Sequence, residues 1–233
     1  MKPTDSYIGS HVKWSSHVLL RRLQAAAICL LLLLPFGARP ASATPSSAGT
    51  AHVYLLRGVL NIFSLGLDDI AAKLRAQGIP VTVANFVSWS SLADDAAAGY
   101  KSGQLKTIIL VGHSSGATAL PDMVAKLGTL GVPVKLAIGL DSVFRTKLSG
   151  NAERYINFYI ASGAGEPVIR TKDFHGKLDN VDVQSVPGVG HITIEKNQIM
   201  QQKVISAIDA VVFGRSVPAS GHRSRASLEK QAR

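Results

Sequence analysis

The run from Lys106 to Val111 (KTIILV) constrains this chain more than any other feature. It is β-branched and uninterrupted by polar residues, so as a strand it is apolar on both faces. Such a strand is stable only where both faces are covered, as in the centre of a parallel sheet flanked by helices. Its surroundings agree. His52 to Leu56 is a short apolar strand ended by Arg57-Gly58, and residues 67–77 place Leu67, Ile70, Ala71 and Leu74 at helical spacing before Gly78 and Pro80 stop them. Val81 to Phe86 reads as a strand and 89–101 as an alanine-rich helix. A helix over 116–128 follows KTIILV, with Pro121 tolerable only in its first turn. Strands are expected at Val134–Leu140, Ile156–Ile160 and Val181–Val186, and an amphipathic helix over 197–213 closes the pattern. Alternating strands and helices predict an α/β fold with an open, doubly wound, mainly parallel sheet. Residues 142–155 and 161–180 read as inserted loops, too short for a large helical lid.

The ends of the chain are different. Arg21-Arg22 precede an apolar run from Leu23 to Phe36, and Ala41-Ser42-Ala43 supply a small-residue cleavage pattern. Basic, apolar and A-x-A regions in that order predict a signal peptide over 1–43. The run is shorter than the ~20 residues a spanning helix needs; an uncleaved anchor over 23–38 is the alternative. Export to the bacterial periplasm or beyond is the simplest localisation. Cleavage would remove Cys29, the chain's one cysteine, so neither a disulfide framework nor a cysteine zinc site is expected. Residues 44–50 read as a polar linker, 51–213 as the folded domain and 214–233 as a basic, disordered tail.

The net charge of +10 over 233 residues would suggest nucleic acid if it were spread over the fold. It is not. Lys2, Lys13, Arg21, Arg22 and Arg39 against Asp5 give the first 43 residues +4, and Arg215, Arg223, Arg225, Lys230 and Arg233 against Glu229 give the tail +4. The domain is left with about +2, and no nucleic-acid partner is expected of it. With 46% hydrophobic and 17% charged residues, disorder throughout is excluded. Membrane contact is expected only through the N-terminal apolar segment.

The central strand runs into Gly112-His113-Ser114-Ser115-Gly116, and a helix follows. This is G-x-S-x-G in a strand–turn–helix setting. A turn that tight forces the serine into a strained backbone conformation, so the residues two before and two after must be small. Ser114 would project from the carboxyl end of the sheet above a helix N-terminus, where free N–H groups face a developing oxyanion. A serine nucleophile needs a base, and the base an orienting acid.

His191, in Pro187-Gly188-Val189-Gly190-His191 just before the last helix, is the expected base. His52, His113, His175 and His222 are poorer placed: at the start of a strand, at the elbow's variable position, in a polar loop and in the tail. Asp141, ending the strand VKLAIGL, is the preferred acid. Glu166 competes from beyond the next strand, separated from it by the mobile-looking stretch 161–165, and Asp173, Asp179 and Asp182 are weaker. Ser115 N–H supplies one oxyanion donor. The turn Arg57-Gly58-Val59-Leu60-Asn61 supplies the other, Val59 first and Leu60 next, with Gly58 allowing close approach. Arg57 reads as an ordinary surface ion pair or as a contact to an anionic substrate group. Phe63, Trp89, Phe144 and Tyr159 are candidates for an acyl pocket, with core packing the alternative.

From about His52 to Phe213 these residues resemble the α/β-hydrolase superfamily, and Leu140-Asp141-Ser142 after the elbow helix is similar to its lipase and thioesterase-like branch. The resemblance implies hydrolysis of a small-molecule or lipid-like acyl ester or thioester through an acyl-serine intermediate on Ser114, His191 and Asp141, with no metal and no organic cofactor. Arg57-Gly58 departs from the His-Gly usual after the first strand. The same side chains would serve an amidase or peptidase, and a non-catalytic binding protein of the same fold is the reading from another class.

Overall fold

The computed structural model describes residues 47–214. The expected signal peptide with Cys29, residues 44–46 of the linker, and the tail from 215 with His222 lie outside the described residues, as do the side chains of Ile62 and Phe63. Residues 47–50 form a turn whose Ala48 is buried against the core, and Thr50 accepts the Lys106 N–H at 2.8 Å. This part of the expected linker is therefore packed on the domain.

Six strands form one sheet: β1 Ala51–Arg57, β2 Val81–Asn85, β3 Thr107–His113, β4 Val134–Leu140, β5 Lys147–Tyr159 and β6 Ile169–Asp182. Their order is β2-β1-β3-β4-β5-β6 and every pairing is parallel. The helices are α1 Gly66–Ala76, α2 Trp89–Lys101, α3 Ser115–Thr129 and α4 Gln198–Phe213, with short 3₁₀ turns at Asn61–Ser64 and Phe86–Ser88.

Alternate residues of β1 show why the sheet is covered twice. Val53 and Leu55 pack with Leu67, Ile70 and Leu74 of α1 and with Met200, Val204 and Ile208 of α4. Tyr54 and Leu56 pack on the other face with Ala93 and Ala96 of α2 and Leu120, Met123 and Leu127 of α3. Ile108 to Val111 of β3 are all fully buried, two per face. This is the open, doubly wound α/β architecture that the alternation predicts.

Three local expectations need correction. Pro121 is the seventh residue of α3, not a first-turn residue; its fixed φ suits a helix, and what it gives up is one N–H bond. Residues 142–155 and 161–180 are not simple loops. Much of each belongs to β5 and β6, which are 13 and 14 residues long and paired along their length through two irregularities. Leu148, Val168 and Phe174 from these segments join the α2–α3 side of the core. His175 accordingly lies in β6, opposite Asn151.

The order places a switch point between β1 and β3, because the chain leaves β1 toward β2 on one side and β3 lies on the other. A crevice opens at such a point, outside the carboxyl ends of the two strands. The residues that follow them are Gly58 and Ser114.

Candidate active site

Ser114 bridges β3 and α3 with φ 58° and ψ −122°. The positions two before and two after it have no room for a side chain. A Cβ on Gly112 would run into the Gly116 carbonyl, and one on Gly116 into the Leu56 carbonyl of β1. These contacts give the two outer glycines of Gly112-His113-Ser114-Ser115-Gly116 their reason. Ser115 opens α3, so its N–H has no acceptor four residues back.

His191 and Asp141 converge on this serine. His191 Nε2 lies 3.0 Å from Ser114 Oγ, and its Nδ1 lies 2.7 Å from Asp141 Oδ2. A carboxylate accepts, so Nδ1 carries the proton and Nε2 is the acceptor facing the hydroxyl. Asp141 is fully buried; its other oxygen, Oδ1, accepts the Ile160 N–H at 2.9 Å. It too has a positive φ, 54°, immediately after β4. The turn it makes tilts the carboxylate back toward the His191 loop while its own N–H still bonds Phe158.

Glu166 is occupied elsewhere: it pairs with Arg145 at 3.2 Å on the surface. Asp179 pairs with Arg154 and Lys177, and Asp182 accepts the N–H groups of Ala161 and Gln184. Asp173 is an exposed residue of β6. The 161–165 stretch is not loose where it matters. Gly165 is buried, and a Cβ there would overlap Asp141 Oδ1.

Val59 and Leu60 line a cavity over Ser114 together with Gly58, Ser64, His113, His191 and Ile192. Among the described residues the Val59 N–H has no hydrogen-bond partner. Gly58 lets this loop close on the serine, since a Cβ there would lie 3.1 Å from Ser114 Cβ. Arg57 does not enter the cavity; its guanidinium pairs with Asp68. Of the aromatic candidates, Trp89 packs against the core, Phe144 is exposed and Tyr159 is half-buried, and none lines the cavity. The Phe63 side chain lies outside the described residues.

Sequence reasoning passed over three residues that hold this geometry. His113 is buried; its Nε2 lies 2.8 Å from the His191 carbonyl and its Nδ1 2.8 Å from Ser64 Oγ. A carbonyl only accepts, so Nε2–H donates to it and Nδ1 accepts from Ser64. Ser64 Oγ in turn accepts the Gly58 N–H at 3.0 Å. Burial pushes the His113 pKa down to about 4, which keeps the ring neutral and this arrangement intact at pH 7. Asn85, at the end of β2, donates to the Gly58 carbonyl at 3.3 Å and to Asn61 Oδ1 at 2.9 Å. The signal for His113 and Ser64 was only that polar residues stood where the pattern buries them; their partners are 49 and 78 residues away.

The His191 loop has its own ties. Thr193 Oγ1 accepts the Gly190 N–H and donates to the Gly188 carbonyl, and Asn197 caps α4 while donating to the Pro187 carbonyl. Glu195 is fully buried behind this loop, with its pKa raised by burial and Lys196 Nζ 3.4 Å away. Among the described residues no group of three or more His, Cys, Asp or Glu side chains could hold a metal ion. None of the helices there is long and apolar enough to cross a membrane.

The arrangement has the parts for nucleophilic chemistry: a hydroxyl, an acceptor nitrogen on its proton, a buried carboxylate behind that nitrogen, and unengaged N–H groups beside it. No protein-family model and no curated protein matches the sequence. Among solved structures, a protein of Xanthomonas campestris pv. campestris named a "putative hydrolase of the alpha/beta superfamily" is similar at 14% identity and a TM-score of 0.41, covering 68% of this chain and 98% of that one. At that identity and score, the functional reading rests on the residues of this chain alone.

Proposed function

We propose that the protein is a serine hydrolase of the α/β-hydrolase type that cleaves carboxylic esters or thioesters through an acyl-serine intermediate. The observation that carries this is the unbroken hydrogen-bonded line Asp141–His191–Ser114, with spacings of 2.7 and 3.0 Å.

His191 Nε2 takes the Ser114 proton as Oγ forms a bond to the substrate carbonyl carbon. Asp141 holds the ring in the tautomer that leaves Nε2 free and offsets the imidazolium charge. The oxyanion is held by the N–H groups of Ser115 and Val59, and Val59 keeps the role expected of it because Gly58 brings its loop to the serine. The carbonyl carbon–leaving group bond then breaks, and the leaving group departs with the proton from His191. Water, deprotonated by His191, attacks the acyl-serine; the acid leaves and Ser114 regains its proton. The strained Ser114 backbone is what keeps Oγ clear of the helix and open to this attack.

A fluorescent phosphonate that reacts with activated serines tests the reading directly. Labelling is expected on Ser114 and is expected to be lost in Ser114→Ala and in His191→Ala. Ester turnover by Ser114→Ala equal to that of the unmodified protein would sink the proposal. Turnover of matched amide and ester substrates separates esterase from amidase action on the same residues.

A further inference from the structure

We infer that the site selects esters or thioesters of short, uncharged carboxylic acids, with the acyl group in the cavity over Ser114 and the leaving group over its open face. This rests on the proposed role of Ser114 and deepens it.

The cavity's volume is about 110 Å³. An apolar cavity of ~150 Å³ is known to admit benzene, six carbons, so the same ratio allows about four carbons here. An acetyl to butanoyl group therefore fills the space, and an octanoyl group cannot fit inside it.

The acyl side is assigned by the order of events. After the first step the acyl group stays on Ser114 while the leaving group departs and water enters along the same line. The open face must serve the leaving group and water, which leaves the enclosed volume to the acyl chain. The walls are mostly apolar, with the side chains of Val59, Leu60 and Ile192 among them. Among the described residues no lysine or arginine lines them, since Arg57 is held by Asp68 and Lys196 by Glu195 and the Ile192 carbonyl. A carboxylate at the far end of an acyl chain would lose its water and find no partner there.

The same three side chains are 64%, 55% and 57% exposed, so the walls are thin and end at solvent. Each methylene buried in a site should raise kcat/KM about fourfold. A chain longer than the cavity has no room beside Ser114 unless Leu60 or Ile192 is pushed aside, so methylenes beyond the fourth carbon lower kcat/KM.

The test is a chain-length series with the full-length protein, 4-nitrophenyl acetate, butanoate, octanoate and dodecanoate, read as kcat/KM. Acetate or butanoate is expected to be best, with at least a tenfold fall at octanoate. Ile192→Ala and Leu60→Ala, both exposed positions, are expected to narrow that gap severalfold, and Ile192→Trp to lower butanoate relative to acetate. Methyl butanoate is expected to be hydrolysed at least tenfold faster than the mono-methyl ester of butanedioic acid.

Octanoate or dodecanoate as the best substrate of the unmodified protein would overturn the inference. So would an unchanged octanoate-to-butanoate ratio in Ile192→Ala, equal rates on the charged and uncharged methyl esters, or no turnover of any short ester. If phosphonate labelling of Ser114 persists in those cases, the hydrolase reading stands and only the acyl selectivity falls. Loss of labelling as well removes both.

Discussion

The ring of His113 donates through Nε2–H to the backbone carbonyl of His191 at 2.8 Å, and the two imidazoles lie 5.3 Å apart, centroid to centroid. One histidine of the elbow therefore fixes the main chain that carries the other. Through Ser64 it also fixes Gly58, the residue that sets how closely the Val59 loop approaches Ser114. On the proposed mechanism His113 is a positioning residue: it touches no reacting atom, yet the His191 loop and the Val59 loop both hang from it.

Replacing it should separate geometry from folding. His113→Phe keeps the volume and loses both hydrogen bonds, leaving Ser64 Oγ and the His191 carbonyl without that partner. Such losses in a buried setting are worth ~1–3 kcal/mol. If half or more of this falls on the transition state, kcat drops roughly 2- to 150-fold with little change in KM. His113→Gln can place an amide N–H near the Nε2 position and should recover part of kcat. Equal kcat for all three proteins, measured well below their melting temperatures, would reduce His113 to a packing residue.

The same burial makes stability depend on pH. His113 titrates near 4 in the folded protein, against 6.5 for an ordinary histidine. Between those values the unfolded chain binds the extra proton and the folded one does not, so acid favours unfolding. Stability from this group is complete above about pH 6.5 and is lost as pH falls toward 4, by about 3 kcal/mol in all. Urea melts at pH 7 and pH 4.5 should show the loss, and His113→Gln should show a smaller one. An equal pH slope in the two proteins would mean that other groups carry it.

How far the sequence could be read follows from the range of each interaction. The elbow is local. Strand, glycine, serine, glycine and helix all lie within one short stretch, and the steric reasons for both glycines are backbone contacts that any such turn makes. That Asp141 and His191 would meet at Ser114 was readable because each sits where a strand ends or a last helix begins. β5 and β6 were not. Their first halves are polar and broken by Gly150 and Gly176, both at positive φ, and their charges serve one another across the ladder, as Arg154 and Asp179 do at 2.8 Å. A charged edge strand carries no apolar alternation for a reader to find. The Gly165 contact on Asp141 is likewise a fact of the closed chain, invisible until both segments are in place.

Asp141 and Glu166 should now behave very differently. Asp141→Asn keeps the shape but offers an amide to His191 Nδ1, which favours the wrong ring tautomer. A fall in kcat on the order of 10⁴-fold is expected. Glu166→Gln removes a surface partner of Arg145, an interaction worth at most ~1 kcal/mol, and should leave kcat within about twofold. Comparable losses in both variants would mean that Glu166 reaches the base during turnover.

Gly165 provides the sharpest test of how the acid is held. It is buried against Asp141, and a Cβ there would occupy the place of Oδ1, the oxygen that accepts the Ile160 N–H. Gly165→Ala must therefore push either the 161–166 segment outward or the carboxylate off His191. Forcing a methyl group into such a contact costs ~1–3 kcal/mol of stability. Where the carboxylate gives way, kcat falls with it, by 10-fold or more. Gly163→Ala is the matched control two residues away, where the nearest atom to a new Cβ is Ile160 Cγ2 at 3.5 Å, an ordinary contact. Thermal melts and kcat of the two variants, side by side, check the argument: the expected pattern is loss of both at 165 and neither at 163. Full activity in Gly165→Ala with a lowered melting temperature would show that the segment moves and the Asp141–His191 bond holds.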